Sequence, residues 1–378
     1  MTEEDQSVSD FMTSAWTQFA KTGDPNPGLD SNETASWPAL NSSEDRYLEI
    51  SATISTPNLT AEYKRTTSFW KDVLQPELPQ RNTATGAVSG TYLTTVRGSC
   101  IAAFQGIPYA LPPVGPLRFM DPQPAAPWGG VLKAHQPGPV CPQDGIPPWQ
   151  ESEDCLFLNV YSPCQPSEEP LPVMIWVHGG SYRGGSGGTW WYGPEYLLDS
   201  GVILITLNYR LIPLGFISLE SPSMPGNQGQ KDVVMALKWI QDNIVNFGGD
   251  ANRVTVFGES SGSDMVVSLL VSPLASGLFS GVIGESGASM TLPFSPYYQQ
   301  QEGSHRTSTL QLAADLGCTG NSDQDIVDCL QDVPTQAYLK AAGNLSSPHW
   351  ASLVMDADIS SQPFMPIYPE AAIQTQQE

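Results

Sequence analysis

The sequence predicts an α/β fold in which a mostly parallel central sheet carries helices on both faces. Four short, largely apolar runs have the length and composition of buried strands, at residues 171–178, 201–207, 253–257 and 281–284. Residues 230–246 lie between the second and third runs and repeat apolar side chains at steps of three and four, as one face of a helix does. Strands that alternate with helices and lack a polar face are typical of a parallel sheet buried on both sides.

The segments before this alternation have a different character. Residues 86–161 are richer in Pro and Gly and predict an antiparallel lead-in to the sheet. Residues 7–21 and 61–74 predict amphipathic helices, separated by a stretch rich in Pro, Ser and Asn. Residues 75–85 are expected to form a linker between the two parts of the chain.

The most informative motif is a G-x-S-x-G at residues 258–262, between a predicted strand and an apolar helical run. In a nucleophile elbow, the turn from strand to helix is so tight that only glycine fits two residues before and after the serine. The serine is then held in a strained conformation with an exposed hydroxyl. This context predicts that Ser260 is a nucleophile.

A second motif, H-G-G at residues 178–180, ends the first apolar strand. An ester hydrolase must stabilise the oxyanion of its tetrahedral intermediate. Backbone N–H groups of a glycine loop can do this, together with the N–H of the residue after the nucleophile. The predicted donors are Gly179, Gly180 and Ser261. The two motifs in this order predict an α/β-hydrolase fold.

Seven further segments carry a family resemblance. They are F-Q-G-I-P-Y-A at 104–110, P-P-V-G at 112–115, L-R-F at 117–119, S-E-D-C-L-F-L-N-V at 152–160, N-Y-R at 208–210, G-N-Q-G at 226–229 and F-G-G-D at 247–250. With the two motifs, they make the chain similar to the type-B carboxylesterase/cholinesterase family. The resemblance implies a secreted or ER-lumen serine hydrolase that acts on small carboxylic esters through Ser260.

The resemblance also implies roles for residues outside the two motifs. It implies the disulfides Cys141–Cys155 and Cys318–Cys329, and a structural ion pair between Arg118 and Glu153. Ser261 departs from the family, which usually has alanine at that position, and thereby adds a hydroxyl beside the nucleophile. The loop between Cys141 and Cys155 is shorter than the aromatic-bearing loop of true cholinesterases, so a choline-ester preference is not expected.

The order of the family segments is unusual. Residues 1–80 resemble the C-terminal segment of a carboxylesterase-like domain, whereas residues 83–378 resemble the N-terminal portion of such a domain. The second segment is expected to stop before the family's catalytic Glu and His, so the fold is expected to be incomplete. The favoured explanations are a piece of a tandem-esterase polypeptide or a fused reading of neighbouring genes. A circular permutation is less favoured, because it would keep every segment.

No histidine in the sequence matches the family's base by its surrounding text. His178 belongs to the H-G-G motif and is expected to be structural, while His135 and His305 are expected in surface or polar surroundings. His349 follows Ser260 in the correct chain order and is interpreted as a loop histidine. Glu259 adjoins the nucleophile and is also interpreted as structural.

The composition of the chain indicates which kinds of partner and which cellular compartment to expect. The formal net charge of −23 should repel nucleic acid, although it leaves open an attraction for cationic substrates. No run reaches the roughly 20 apolar residues of a membrane span. The sequence contains neither H-E-x-x-H nor C-x-x-C, so no metal or other cofactor is expected. The paired cysteines and four glycosylation sequons indicate a secretory route, although no signal peptide is visible; the sequons begin at Asn32, Asn41, Asn58 and Asn344.

Three functional readings follow from the sequence. The first is an esterase that forms an acyl-enzyme on Ser260, although this chain alone is expected to turn over poorly without a base. The second is a non-catalytic cholinesterase-like module for binding or adhesion, and the third is a non-functional fragment. The aromatic residues 190–192 either line an acyl pocket or simply pack against the sheet. Cys100 and Cys164 are left without an assigned state.

Overall fold

A computed structural model describes residues 78–147, 149–165, 167–287, 304–344 and 353–366. The chain divides into two units, Met1–Glu77 and Leu78–Glu378, and every described residue belongs to the second. The predicted family tail in residues 1–80 therefore lies almost wholly outside the described residues, as does His349.

The strands of the described chain alternate with helices as the sequence predicts. They are β1 Gln80–Thr83, β2 Gly86–Ser89, β3 Thr91–Thr94, β4 Cys100–Pro108, β5 Val131–Lys133, β6 Phe157–Pro163, β7 Leu171–Val177, β8 Ile203–Leu207, β9 Gly249–Glu259 and β10 Gly281–Glu285. The α-helices are α1 Ile212–Phe216, α2 Gln228–Asn243, α3 Ser261–Ser268, α4 Ser304–Asp315, α5 Asp323–Asp332 and α6 Thr335–Asn344. Short 3₁₀ helices include Leu197–Ser200 and Ile244–Phe247.

The main sheet of the described residues has the strand order β10-β9-β7-β8-β6-β4-β3. The four strands β10, β9, β7 and β8 are parallel to one another, whereas β6, β4 and β3 continue the sheet with antiparallel pairings. The predicted α/β class is confirmed, and the predicted antiparallel lead-in accounts for the mixed character of the sheet. A smaller sheet joins β1, β2 and β5.

Helix α2 has the bounds and the buried apolar face that its repeating pattern of apolar residues predicts, to within a few residues. It begins two residues before the predicted start and gives way to the 3₁₀ helix Ile244–Phe247. Gly248 then ends the helical run in a left-handed conformation, with a φ of 86°. The apolar stripe of α2, which includes Val233, Leu237 and Ile240, is wholly buried against the strands. Burying a side chain of this size contributes about 1.5–3 kcal/mol to the free energy of folding.

The two faces of the main sheet carry separate apolar clusters. Alternate residues of a strand point to opposite faces. Val177 of β7 and Val256 of β9 accordingly pack in one cluster with residues of α2 and α3, whereas Trp176 and Phe257 pack in the other. Leu198 of the 3₁₀ helix Leu197–Ser200 belongs to this second cluster. The chain thus places α3, which follows the candidate nucleophile, on the more extensively buried face.

Within the described ranges, no helix combines the length and the apolar character needed to cross a membrane.

Candidate active site

The candidate nucleophile occupies the single position between a strand and a helix. Strand β9 ends at Glu259 and α3 begins at Ser261, so Ser260 alone makes the turn. Its backbone has φ 54° and ψ −124°, a conformation that non-glycine residues rarely adopt. Its N–H donates to the Glu285 carbonyl at 2.9 Å, and its own carbonyl accepts from the Asp264 N–H at 3.1 Å. Such strain at a strand-to-helix turn is the geometry of a nucleophile elbow.

The two glycines of the elbow are required by close backbone contacts. A β-carbon at Gly262 would lie 2.2 Å from the Val177 carbonyl oxygen, and one at Gly258 would lie 2.7 Å from the Gly262 carbonyl. Both distances are well inside van der Waals contact, so any larger residue would push α3 away from β7. The close approach of α3 to the sheet therefore depends on these glycines, as the sequence motif predicts.

Residues 178–188, here called the oxyanion loop, bring the H-G-G motif directly against the nucleophile. A β-carbon at Gly179 would lie 2.5 Å from the Glu259 carbonyl oxygen and 3.2 Å from the Ser260 Cβ. No described residue accepts a hydrogen bond from the N–H of Gly179 or of Gly180. The N–H of Ser261 is the first of α3 and so has no acceptor within the helix. These three backbone N–H groups thus have no acceptor among the described residues.

The distal part of the oxyanion loop is held by buried amide side chains. Gln143 accepts from the Gly185 N–H at 2.8 Å and donates to the Gly185 carbonyl at 2.9 Å. Asn208 accepts from the Gly187 N–H at 2.8 Å. The Gly187 carbonyl accepts from Asn159 Nδ2 at 2.9 Å and from Thr206 Oγ1 at 2.6 Å. This part of the loop therefore has a defined position.

His178 contacts the backbone of the oxyanion loop and a neighbouring tyrosine, as the sequence predicts for a structural residue. Its ring is fully buried, and its Nδ1 lies 2.8 Å from the Gly179 carbonyl oxygen. The ring stacks on Tyr209 with 4.3 Å between centroids, and the Tyr209 hydroxyl donates to the His178 carbonyl at 2.7 Å. Burial lowers the pKa of His178 from 6.5 to about 4, so the ring is neutral at pH 7. The ring forms no hydrogen bond with the Ser260 hydroxyl, and its lowered pKa makes it a weak proton acceptor, so we do not assign it as the base for Ser260.

The described residues bring no base to the nucleophile. Within the described ranges, no side chain forms a hydrogen bond with the Ser260 hydroxyl. His135 lies 3.0 Å from the Ser89 hydroxyl, in the region of the small sheet. The N–H of His305, at the start of α4, donates to Glu220 at 3.1 Å. His349 lies outside the described residues. The predicted absence of the family's Glu and His stays a prediction.

The aromatic residues 190–192 pack on the second face of the sheet. Tyr192 contacts Trp176 with 4.9 Å between ring centroids, while Trp190 and Trp191 are mostly exposed. Burial raises the pKa of Tyr192, and the Glu259 carboxylate raises it further. That carboxylate also reaches the oxyanion loop, because a β-carbon on Gly179 would lie 2.9 Å from its Oε2. All three aromatic residues also line a cavity of about 440 Å³ with Trp176 and Phe257, so both alternatives open at the sequence level, packing and an acyl pocket, stay predictions.

The cysteines form three disulfides. Cys141 bonds to Cys155 and Cys318 bonds to Cys329, which are the two pairs that the family resemblance implies. The remaining pair, to which the sequence assigned no state, is Cys100–Cys164. This third disulfide links residues at the start of β4 and just after β6, two strands that pair with each other.

Arg118 and Glu153 form a two-pronged ion pair whose side chains are only 10% and 8% exposed. Arg118 Nε and Nη2 donate to the two Glu153 oxygens at 2.8 and 2.5 Å. Arg118 Nη1 also donates to the carbonyls of Gln331 and Val333 at the end of α5. The pair therefore joins two loops to the end of a helix and does not contact Ser260 directly, in keeping with its predicted structural role.

The sequence analysis did not predict which residues anchor the oxyanion loop. Asn208, Tyr209 and Arg210 follow β8 directly and have separate tasks. Asn208 holds Gly187, Tyr209 holds His178, and Arg210 forms a buried ion pair with Asp232 of α2 at 2.6 Å. The available signal was the cluster of three polar side chains at the end of a wholly buried strand, where polar groups need partners.

The arrangement is suited to acyl transfer. A strained serine lies against the H-G-G motif, whose N–H groups could stabilise negative charge on a carbonyl oxygen. Within the described ranges, no cluster of His, Cys, Asp or Glu has the composition of a metal site.

Comparisons with known proteins agree with this geometry. The model of the carboxylesterase family matches residues 1–70 and 77–378. Juvenile hormone esterase of Tribolium castaneum is 39% identical over 303 residues, which cover 77% of this chain and 51% of that protein. Human carboxylesterase 3 is 40% identical over 284 residues, which cover 70% of this chain and 47% of that protein. The chain thus spans about half the length of these relatives.

A solved structure supports the same relationship. The crystal structure of juvenile hormone esterase from Manduca sexta, with OTFP covalently attached, superposes with a TM-score of 0.72 at 34% sequence identity. The match covers 80% of this chain and 58% of that protein.

Proposed function

Since the chain belongs to the carboxylesterase family, we propose that it acts on small carboxylic esters through an acyl-enzyme on Ser260. The Ser260 oxygen attacks the ester carbonyl, and the carbonyl oxygen becomes an oxyanion that accepts from Gly179, Gly180 and Ser261. Collapse of this intermediate releases the alcohol and leaves the acyl group on the serine. Water then attacks the acyl-enzyme and releases the carboxylic acid.

The contact between the oxyanion loop and the elbow is the observation that carries this proposal. Gly179 lies so close to Ser260 that a single added β-carbon would reach 3.2 Å from the serine Cβ. A carbonyl attacked by Ser260 would therefore have its oxygen beside the available N–H groups of the loop. Losing one such donor typically costs about 10²–10³ in kcat, so this placement has catalytic value.

The base and the carboxylate that would orient it are not assigned to any described residue. The Ser260 proton must leave during attack, and water must be activated during deacylation. We therefore expect the isolated chain to acylate more readily than it deacylates, and to turn over slowly.

A secretory location is proposed on the cysteines. Three disulfides lie within the described residues. Structural disulfides persist in oxidising compartments and are rare in the reducing cytosol. This supports a secreted or ER-lumen protein. Detecting glycans at Asn32 or Asn58 in protein from a eukaryotic host would agree with that route, and cytosolic retention with free thiols would contradict it.

Labelling by a fluorophosphonate probe tests the proposed nucleophile. The purified chain and its Ser260→Ala variant are incubated with the probe, and the adduct is located by peptide mass spectrometry. We expect one adduct on the peptide that contains Ser260, and none in the variant. Ser286 serves as an internal control, because it also has a left-handed backbone, with a φ of 54°, but lacks the oxyanion loop.

The outcomes separate the proposal from its main alternative. An adduct on Ser260 supports an esterase. Complete absence of labelling in a folded chain would favour the non-catalytic binding module, and an adduct on another serine would overturn the assignment of the nucleophile.

A further inference from the structure

The turn that follows the H-G-G motif contains two residues in an unfavourable conformation. Ser181 and Tyr182 have φ values of 57° and 58°, a region that residues other than glycine, Asn and Asp rarely occupy. Gly180, which precedes them, is also left-handed, with a φ of 114°. A loop with three such residues in succession needs contacts elsewhere to hold its shape.

One of those contacts comes from the residue after the nucleophile. The Tyr182 N–H donates to the Ser261 hydroxyl at 3.3 Å, and Ser261 is only 5% exposed. The Tyr182 ring is also buried and packs edge-on against Phe216 at 4.9 Å. The hydroxyl of Ser261 thus reaches the oxyanion loop just beyond its two glycine donors.

The Ser261 side chain also lies near Tyr209, the residue that holds His178 at the start of the H-G-G motif. Burial raises the pKa of Tyr209, and the nearby Ser261 side chain opposes that rise, so the two side chains are neighbours. The Tyr209 hydroxyl in turn donates to the His178 carbonyl at 2.7 Å. The Ser261 side chain therefore contacts Tyr182, which follows the two glycines, and lies near Tyr209, which holds His178 before them.

We propose that Ser261 is a positioning residue whose side-chain hydroxyl holds the oxyanion loop against the elbow. Its backbone supplies the third N–H donor, while its side chain sets the position of the loop that supplies the other two. The inference rests on the proposed function, because it assigns the hydroxyl a task in the same reaction.

Two measurements on the full chain test this inference. The first is amide hydrogen exchange of the loop, which does not depend on catalysis. In the wild type, we expect the Tyr182 amide to exchange at least about tenfold more slowly than the amides of Gly179 and Gly180, which have no acceptor among the described residues. In Ser261→Ala, we expect Tyr182 exchange to become about tenfold faster.

The second measurement is the rate of Ser260 modification by a fluorophosphonate at increasing probe concentration. We expect Ser261→Ala to lower the maximal rate about tenfold and to leave the half-saturating concentration nearly unchanged. The matched control is Ser268→Ala in the same helix, because Ser268 is equally buried but donates to the Met265 carbonyl. That variant should change neither the exchange of Tyr182 nor the rate of modification.

The outcomes distinguish this inference from the proposed function. If wild-type Ser260 is never modified, the proposed function fails, and the exchange data alone then decide whether Ser261 holds the loop. Unchanged Tyr182 exchange in Ser261→Ala overturns the inference, as does faster exchange accompanied by an unchanged maximal rate in a labelled protein. If Ser261→Ala fails to fold, a wild-type Tyr182 amide that exchanges as fast as Gly179 gives the same negative answer.

Discussion

The two sides of Ser260 are built very differently. On one side, the oxyanion loop is fixed by hydrogen bonds from several buried side chains, and its glycines contact the elbow. On the other side lies β10, an edge strand among the described residues, whose Ile283 is 45% exposed. There the Ser260 hydroxyl meets no acid or base from the described part of the chain. The oxyanion loop is thus held in place by described contacts, whereas no described side chain forms a hydrogen bond with the Ser260 hydroxyl.

This difference between the two sides of Ser260 shows which parts of the site are built from the recognised sequence motifs. The oxyanion side is assembled from the ends of β7, β8 and β9, which are adjacent in the sheet. The sheet brings these strand ends together, although long stretches of chain separate them in the sequence. On the other side of Ser260, the described residues offer no comparable set of hydrogen bonds to the hydroxyl.

The largest effect is expected from a substitution that fills the contact between the oxyanion loop and the nucleophile elbow. In Gly179→Ala, the new β-carbon would lie 2.5 Å from the Glu259 carbonyl and must displace the loop or the elbow. We expect the rate of Ser260 modification to fall about 10²–10³-fold. Gly129→Ala is the control, since a β-carbon there meets no atom within 4 Å. Equal rates for the two variants would show that the loop does not contribute to reactivity.

A second substitution tests whether stability and reactivity are separable. Arg118→Met removes one partner of a nearly buried ion pair and leaves Glu153 uncompensated. We expect a loss of about 3–5 kcal/mol in the free energy of unfolding. The folded fraction should nevertheless modify Ser260 at the wild-type rate, because the pair does not contact the site. Denaturant titration measures the first quantity, and a slower rate in the folded fraction would contradict the separation.

Acidification should weaken the oxyanion side specifically. Burial lowers the pKa of His178 from 6.5 to about 4, so the unfolded chain binds this proton at a higher pH than the folded chain does. The stability that comes from the neutral ring is complete above pH 6.5 and is lost as the pH falls towards 4, by about 3 kcal/mol in total. Thermal melts across this window should show a falling Tm. In His178→Gln, this component of the pH dependence should disappear, and an identical slope in both proteins would contradict the assignment.

The smallest effect concerns the outer anchor of the loop. Gln143→Ala removes the two hydrogen bonds to Gly185 and leaves a partly buried N–H without its acceptor. We expect a loss of about 1–3 kcal/mol in stability and faster exchange of the Gly185 amide. Gln123→Ala, at an exposed position, is the control. Unchanged exchange at Gly185 would show that the loop is held without Gln143.

The strands and the nucleophile elbow could be predicted from the sequence, because short local patterns of residues indicate them. The strands were predictable from apolar runs, and the elbow from glycines that the tight contact of α3 with β7 requires. The predicted end of helix α2 differed from the structure by a few residues, since the last turn becomes a 3₁₀ helix before Gly248. Short-range patterns do not distinguish those two helical forms well.

The anchors could not be foreseen, because they join distant residues. Gln143 and Gly185 are 42 residues apart, and Tyr182 and Ser261 are 79 apart. Nothing in a single sequence indicates which buried amide will meet which loop. The same limit applies to Cys100 and Cys164, whose pairing depends on the antiparallel contact of β4 and β6.

The contrast between the two sides is tested most directly by following p-nitrophenyl acetate through a full reaction. Its leaving group departs without protonation, so acylation relies mainly on the nucleophile and oxyanion hole, whereas deacylation needs an activated water. We predict a burst of about one p-nitrophenol per chain, an acetyl group on Ser260 by mass spectrometry, and slow release afterwards. Ser260→Ala should show no burst. Steady turnover at about 1 s⁻¹ or faster, within the ordinary range of enzymes, would contradict the account, because the chain would then supply its own base for deacylation.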